Sequence, residues 1–151
     1  MKFLIINGPN LNLLGIREPD IYGRRTYQDL CVYIREKALS FGAQTDFFQS
    51  NHEGDLIDRI HASMGVYDGI VLNAGAYTHY SYALHDAIAG VTVPVAEVHI
   101  SDIDSREDFR KISVIRPACA CFVSGQGFDS YVLGLEKLMD IITRAKEARH
   151  V

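Results

Sequence analysis

Short apolar runs bounded by turn residues alternate along this chain with longer stretches whose apolar positions fall three and four apart. Phe3, Leu4, Ile5 and Ile6 form the first run, which stops at Asn7 and predicts a strand covered on both faces. Thr26 with Asp29 three residues on is a capping signature, and Tyr27, Leu30, Ile34 and Ala38 then repeat at helical spacing until Gly42. Residues 44–49, with Thr45, Phe47 and Phe48, predict a second strand. Past the polar turn at residues 50–54, Leu56, Ile57, Ile60 and Met64 line a helix expected to end at Gly65. The run at residues 69–73 again ends in asparagine, and residues 74–79 lead into a helix with Ala83, Leu84, Ala87 and Ile88 on one side. A fourth strand is expected over residues 93–100, with Pro94 near its start, where a missing donor does least harm. A polar loop at residues 101–109 is expected to hold one helical turn, and residues 118–124 predict the fifth strand. Gly125, Gln126 and Gly127 then turn the chain into a long closing helix marked by Tyr131, Leu135, Leu138 and Ile142.

Short buried strands alternating with helices imply a parallel sheet wrapped on both faces, because parallel neighbours need crossovers and these are right-handed. The expected architecture is an α/β three-layer sandwich of the flavodoxin-like type, one domain over residues 1–151, with strand order 2-1-3-4-5. Ligands of such sheets sit beyond the carboxyl ends of the strands, where strand order reverses. That point falls between strands one and three, where residues 7–10 face residues 73–79 and the fourth strand brings His99 and Ser101 alongside.

The connection at residues 7–23 is far longer than the two to six residues usual between strand and helix in such proteins. Leu11, Leu13, Leu14 and Ile16 are too apolar for a solvated linker, while Pro9, Gly15, Pro19 and Gly23 supply defined bends. Its first half is expected to pack, and residues 17–23 to form a polar lid carrying one cation, Arg17, and one phenol, Tyr22.

Composition narrows the partners. A net charge of -4 leaves no basic surplus for gripping phosphate backbones, which argues against nucleic acid, and no run approaches the roughly 18 apolar residues of a membrane span. Met1 leads directly into a strand without a leader, so the cytoplasm is the expected address. The three cysteines are an odd number, and Cys119 and Cys121 are expected to alternate along the fifth strand as small apolar fillers. Ligands at zinc-finger spacing are absent.

The period of two along the fourth strand puts Glu97, His99 and Ser101 on one face, so Glu97 can orient the His99 imidazole while the ring tip looks toward the switch point. A buried, mutually satisfied Glu–His pair is the bland reading, and its place beside the long loop favours the functional one. Tyr22 alone is a packing aromatic, but Arg17 changes that. A cation about 4 Å from a developing tyrosinate, at an effective dielectric near 20, is worth roughly 4 kcal/mol before desolvation pulls the other way. At a helix start His79 either binds a substrate oxygen or caps, with capping favoured on spacing alone, and Arg106 and Arg110 read as solvated surface charges. Residues 125–130 faintly echo a dinucleotide fingerprint but lack its third glycine, so they read as a turn. A signalling receiver would need clustered acids after strand one and a lysine after strand five, where Asn7 and Ser124 stand. A flavin or nucleotide carrier is a second alternative.

Asn7-Gly8-Pro9-Asn10-Leu11-Asn12-Leu13-Leu14-Gly15, with Arg17-Glu18-Pro19 and Tyr22-Gly23, resembles the opening signature of type II 3-dehydroquinate dehydratase. Ser50-Asn51-His52-Glu53-Gly54, Gly75-Ala76-Tyr77-Thr78-His79, Glu97-Val98-His99-Ile100-Ser101 and Arg106-Glu107-Asp108-Phe109-Arg110 resemble its later blocks in the same order. The resemblance spans nearly the whole chain. It implies a flavodoxin-like subunit, in trimers packed into a dodecamer, that dehydrates 3-dehydroquinate to 3-dehydroshikimate without cofactor or metal, in aromatic amino-acid synthesis.

By the same resemblance, Tyr22 is the base that removes the C2 proton, Arg17 keeps it ionised, and the enolate is stabilised through a water near Asn10. His99 protonates the departing C1 hydroxyl, with Glu97 setting its tautomer. Asn73 with the Ile100 and Ser101 region holds the substrate carboxylate, His79 and Arg110 contact the ring hydroxyls, and Asp86 is donated across the trimer interface. Lysine imine chemistry, used by the unrelated type I enzymes, is disfavoured because Lys2, Lys37, Lys111, Lys137 and Lys146 lie at a strand start, in helices or in a loop. The chain departs from the family's common residues at Ala74, Tyr80, His85, Asp102 and Asp104.

Overall fold

Five parallel strands, β1 (Lys2–Asn7), β2 (Gln44–Gln49), β3 (Gly69–Asn73), β4 (Val95–His99) and β5 (Cys121–Ser124), pair in the order β2-β1-β3-β4-β5. The computed structural model describes residues 1–149. Between the strands run α1 (Pro19–Tyr22), α2 (Tyr27–Ser40), α3 (Glu53–His61) and α4 (Tyr82–Gly90), and α5 (Asp129–Ala148) closes the chain. This is the flavodoxin-like order expected from the pattern.

The alternation of side chains along each strand divides the core into two layers. Phe3 and Ile5 of β1 join Val71, Val98 and the inner faces of α2 and α5, including Leu30, Ile34, Leu135 and Leu138. Leu4 and Ile6 point the other way, to Ile70, Leu72 and the α3 and α4 residues Leu56, Ile60, Leu84 and Ile88. Each of these large side chains contributes about 1.5–3 kcal/mol by leaving water.

Local chemistry sets the helix ends. Thr26 Oγ1 accepts from the Asp29 amide at 3.1 Å while Asp29 Oδ2 accepts from the Thr26 amide at 2.8 Å, a reciprocal cap that starts α2. Gly42, at φ 75°, releases the chain from it. The helix expected to reach Gly65 stops instead at His61, and Met64 is left exposed. Ser63 Oγ donates to the Ile60 carbonyl at 2.6 Å, a side-chain bond to the backbone that competes with helical continuation. Ala83 of α4 also faces solvent, since alanine is small enough for either side of a helix.

The fourth strand is shorter than expected at both ends, Val95–His99, and Pro94, which has no amide to pair, lies just before its start. The fifth begins only at Cys121: Pro117 lies in a 3₁₀ turn, Arg116–Ala118, and so Cys119 precedes the strand rather than alternating along it. Cys119 and Cys121 are half-buried, and burial pushes both thiols above the usual cysteine range. The polar loop after β4 holds two 3₁₀ turns, Ile103–Ser105 and Asp108–Arg110, instead of one helical turn. In the long connection, Leu11 and Leu14 pack, while Leu13 is partly exposed and Ile16 largely so; the expected polar lid contains the single helical turn α1.

β1 and β3 end in register, Asn7 beside Asn73. Beyond them the Gly8 amide donates to the Asn73 carbonyl at 2.7 Å, and a Cβ at Gly8 would stand 2.6 Å from the Ala74 carbonyl oxygen. Only glycine permits this approach, which seats the start of the long connection against the loop after β3. Gly8→Ala is therefore expected to cost about 1–3 kcal/mol, seen as a lower denaturation midpoint. A parent-like midpoint would refute the contact.

Candidate active site

Where β1, β3 and β4 end, the chain encloses a cavity of about 400 Å³. The long connection lines it with Asn10, Arg17 and Tyr22, the loop after β3 with Asn73 and His79, and the end of β4 and its loop with His99, Ile100, Ser101, Arg106 and Arg110. Of the residues singled out from sequence, Glu97 lies beneath the cavity and Asp86 outside it; the rest share it.

Tyr22 is the focus of the lid. Arg17 Nη2 donates to its phenol oxygen at 3.3 Å, and Arg106 Nη1 donates to the same oxygen at 3.1 Å. Glu18 partners the Arg17 guanidinium at 2.9 Å, and Arg106 also reaches Ser101 Oγ at 3.3 Å. Hydrogen bonding to Tyr22, more than any other contact, holds the Arg106 guanidinium above the usual arginine range. Arg106 is not the solvated surface charge expected from sequence, because a polar loop carries no periodicity to say which way a cation turns; its side chain is only 13% exposed. Glu18 adopts φ 42° and Asn10 φ 68°, a left-handed conformation that is strained for glutamate and tolerated by asparagine. The Glu18 carbonyl accepts from the Ile21 and Tyr22 amides, so this bend closes the turn that returns Tyr22 to Arg17.

The opposite wall belongs to β4. His99 Nε2 meets Glu97 Oε1 at 2.7 Å, leaving Nδ1 as the ring nitrogen free for the cavity. Glu97 is fully buried, and Ser113 Oγ donates to the same carboxylate oxygen at 2.7 Å. Arg116 brings Nε within 3.9 Å of Oε2 and lays its guanidinium 3.5 Å from the centre of the Phe122 ring. Neither Ser113 nor Arg116 was legible in the sequence, since both arrive from an irregular loop.

His79 is not a cap. Ser81 caps α4, accepting from the Leu84 amide at 3.0 Å, while His79 Nδ1 lies 2.7 Å from the Ile112 carbonyl. A carbonyl only accepts, so Nδ1 carries the proton. Burial pushes the His79 pKa below the usual histidine range, which keeps the ring neutral near pH 7 and leaves Nε2 as an acceptor. Arg110 is half-buried and paired with Glu107 at 3.2 Å rather than solvated. Asn10 is placed by its own amide, which donates to Asn51 Oδ1 at 3.0 Å.

The cavity thus sets a phenol between two cations against a carboxylate-bound imidazole, with amides and a neutral histidine between. The family described as dehydroquinase class II matches residues 1–139. The chain belongs to that family.

A 3-dehydroquinate dehydratase of Caldicellulosiruptor saccharolyticus is 58% identical over 142 residues, covering 93% of this chain and 98% of the relative. One from Clostridium acetobutylicum is 48% identical over 144 residues, 95% of this chain and all of the relative. Among solved structures, the type II dehydroquinase of Butyrivibrio crossotus superposes with a TM-score of 0.89 at 49% identity, covering 91% of this chain and 97% of that one.

A cation about 4 Å from a developing negative charge contributes roughly 4 kcal/mol at an effective dielectric near 20. Arg106→Met is expected to lower kcat by about a hundredfold or more, and Arg106→Lys by less. Parent-like turnover in Arg106→Met would show that Arg17 acts alone.

Proposed function

We infer that the protein removes water from 3-dehydroquinate to give 3-dehydroshikimate, a step of the shikimate pathway toward aromatic amino acids. The observation that carries the reading is the Tyr22 oxygen held by Arg17 and Arg106 across the cavity from the Glu97–His99 pair. Family membership supplies the substrate.

Loss of water from a β-hydroxy ketone moves two protons and no net electrons, so a base and an acid on separate elements suffice. Tyr22, as phenolate, takes the C2 proton, and the electron pair passes into an enolate whose oxygen lies toward Asn10. Collapse of the enolate expels the C1 hydroxyl, which leaves as water with a proton from His99. Glu97 steadies the imidazolium until the ring gives that proton up. Asn73, with Ile100 and Ser101, holds the carboxylate, while Arg110 and the bare Nε2 of His79 take the ring hydroxyls. No step calls for a metal or a redox cofactor.

Conversion is followed by the ultraviolet absorbance of the conjugated enone product, with borohydride and substrate added to a parallel sample. Absorbance is expected to rise, and borohydride to leave the protein active; inactivation would reveal an imine and overturn the enolate route. Tyr22→Phe is expected to lose about 10²–10⁴ in kcat, the contribution of a positioned base.

The assembly proposed is a dodecamer of four trimers in the cytoplasm. Asp86 supports it: the side chain is exposed on α4 outside its own subunit's cavity, where it is available to a neighbour. Beside it His85 is anchored to the Val114 carbonyl at 2.8 Å, Tyr80 and Tyr82 leave apolar surface exposed nearby in the chain, and Phe109 and Ile112 do so in the loop after β4. Among the described residues no helix is long and apolar enough to cross a membrane. Activity is expected to fall on dilution into conditions that dissociate trimers, monitored by light scattering. Full turnover from a demonstrated monomer would reject the shared site.

A further inference from the structure

Tyr131 takes no part in the chemistry above, yet it is fully buried and its hydroxyl reaches the two strand ends that border the cavity. From α5 it donates to Asn7 Oδ1 at 2.6 Å and receives Asn73 Nδ2 at 2.9 Å. The proton count makes the arrangement one-way. A carboxamide oxygen can only accept, so the single hydroxyl proton goes to Asn7, and Tyr131 can face Asn73 only as an acceptor. Burial holds the phenol far above the usual tyrosine range, so that proton stays.

On its other side, Asn73 Oδ1 accepts from the Gly75 amide at 3.1 Å. Turning the carboxamide over would set oxygen against oxygen at Tyr131 and N–H against N–H at Gly75. Both contacts therefore select the same orientation, and the second hydrogen on Asn73 Nδ2 is left for the cavity that Asn73 lines.

We propose that Tyr131 is a positioning residue whose hydroxyl locks the Asn73 carboxamide with its N–H toward substrate, matching the site to a carboxylate rather than to a hydrogen-bond donor. The inference rests on the reading of Asn73 as the holder of the substrate carboxylate. Loss of the lock weakens ground state and transition state alike, which raises KM and spares kcat.

The test is steady-state kinetics on the assembled protein with 3-dehydroquinate. Tyr131→Phe keeps the ring in the core and is expected to raise KM about tenfold with kcat within about twofold of the parent. An unchanged KM, or a loss confined to kcat, overturns the proposal. Asn7→Ala leaves Tyr131 and its packing in place but frees the hydroxyl proton to point at Asn73. It is expected to raise KM in the same way, and a parent-like KM there is equally fatal. In an Asn73→Ala background Tyr131→Phe is expected to add nothing further, because its action passes through the missing amide. Additive losses would show a general structural role instead. If Asn73→Ala itself binds substrate like the parent, the carboxylate reading falls along with the proposal; a failure of Tyr131→Phe alone leaves that reading standing.

Discussion

Two guanidinium groups converge on one phenol oxygen, and this arrangement governs how the lid is built. Arg17 and Arg106 donate to Tyr22 from 3.3 and 3.1 Å, so two like charges share a single acceptor. Glu18 and Glu107 offset part of the repulsion from outside. Negative charge on the oxygen would relieve the rest, as the role of base proposed for Tyr22 requires. The strained Glu18 backbone is part of the same device, because the turn it closes brings Tyr22 back to Arg17. A connection of ordinary length between β1 and α2 has no room for this turn.

The parallel sheet supplies the opposing half. Strands that end side by side bring Asn73 of β3 and His99 of β4 to a common crevice, with Asn7 of β1 buried beside Asn73. Below them polar groups are paired in depth: Glu97 under His99, Ser113 on Glu97, and Tyr131 between Asn7 and Asn73. The proposed acid, His99, thus sits on the scaffold while the proposed base, Tyr22, rides on a loop. That division suits a reaction in which substrate must enter before the base closes over it.

Most of the fold was legible because its strands are continuous apolar runs and its helices repeat at helical spacing. The errors fell where a local bond or a backbone restriction outweighed the pattern. Met64 matched the inner face of α3, but Ser63 had already turned its hydroxyl onto the Ile60 carbonyl. Cys119 matched an alternating strand, but Pro117 delayed that strand to Cys121. Within the site, Glu97 and His99 were visible because a period of two carries both to one face. Arg106, Ser113 and Arg116 were not, since they lie in irregular loops whose direction no repeat encodes. Spacing favoured a cap for His79 because its partner, the Ile112 carbonyl, lies 33 residues away in sequence.

The central claim, a phenolate at Tyr22 sustained by two cations, is tested most directly by tyrosinate absorbance near neutral pH. The protein would be saturated with an unreactive cyclic polyol carboxylate and its ultraviolet difference spectrum taken against Tyr22→Phe treated alike. One equivalent of tyrosinate in the parent, absent from the variant, is the predicted result. Superimposable spectra would contradict the account.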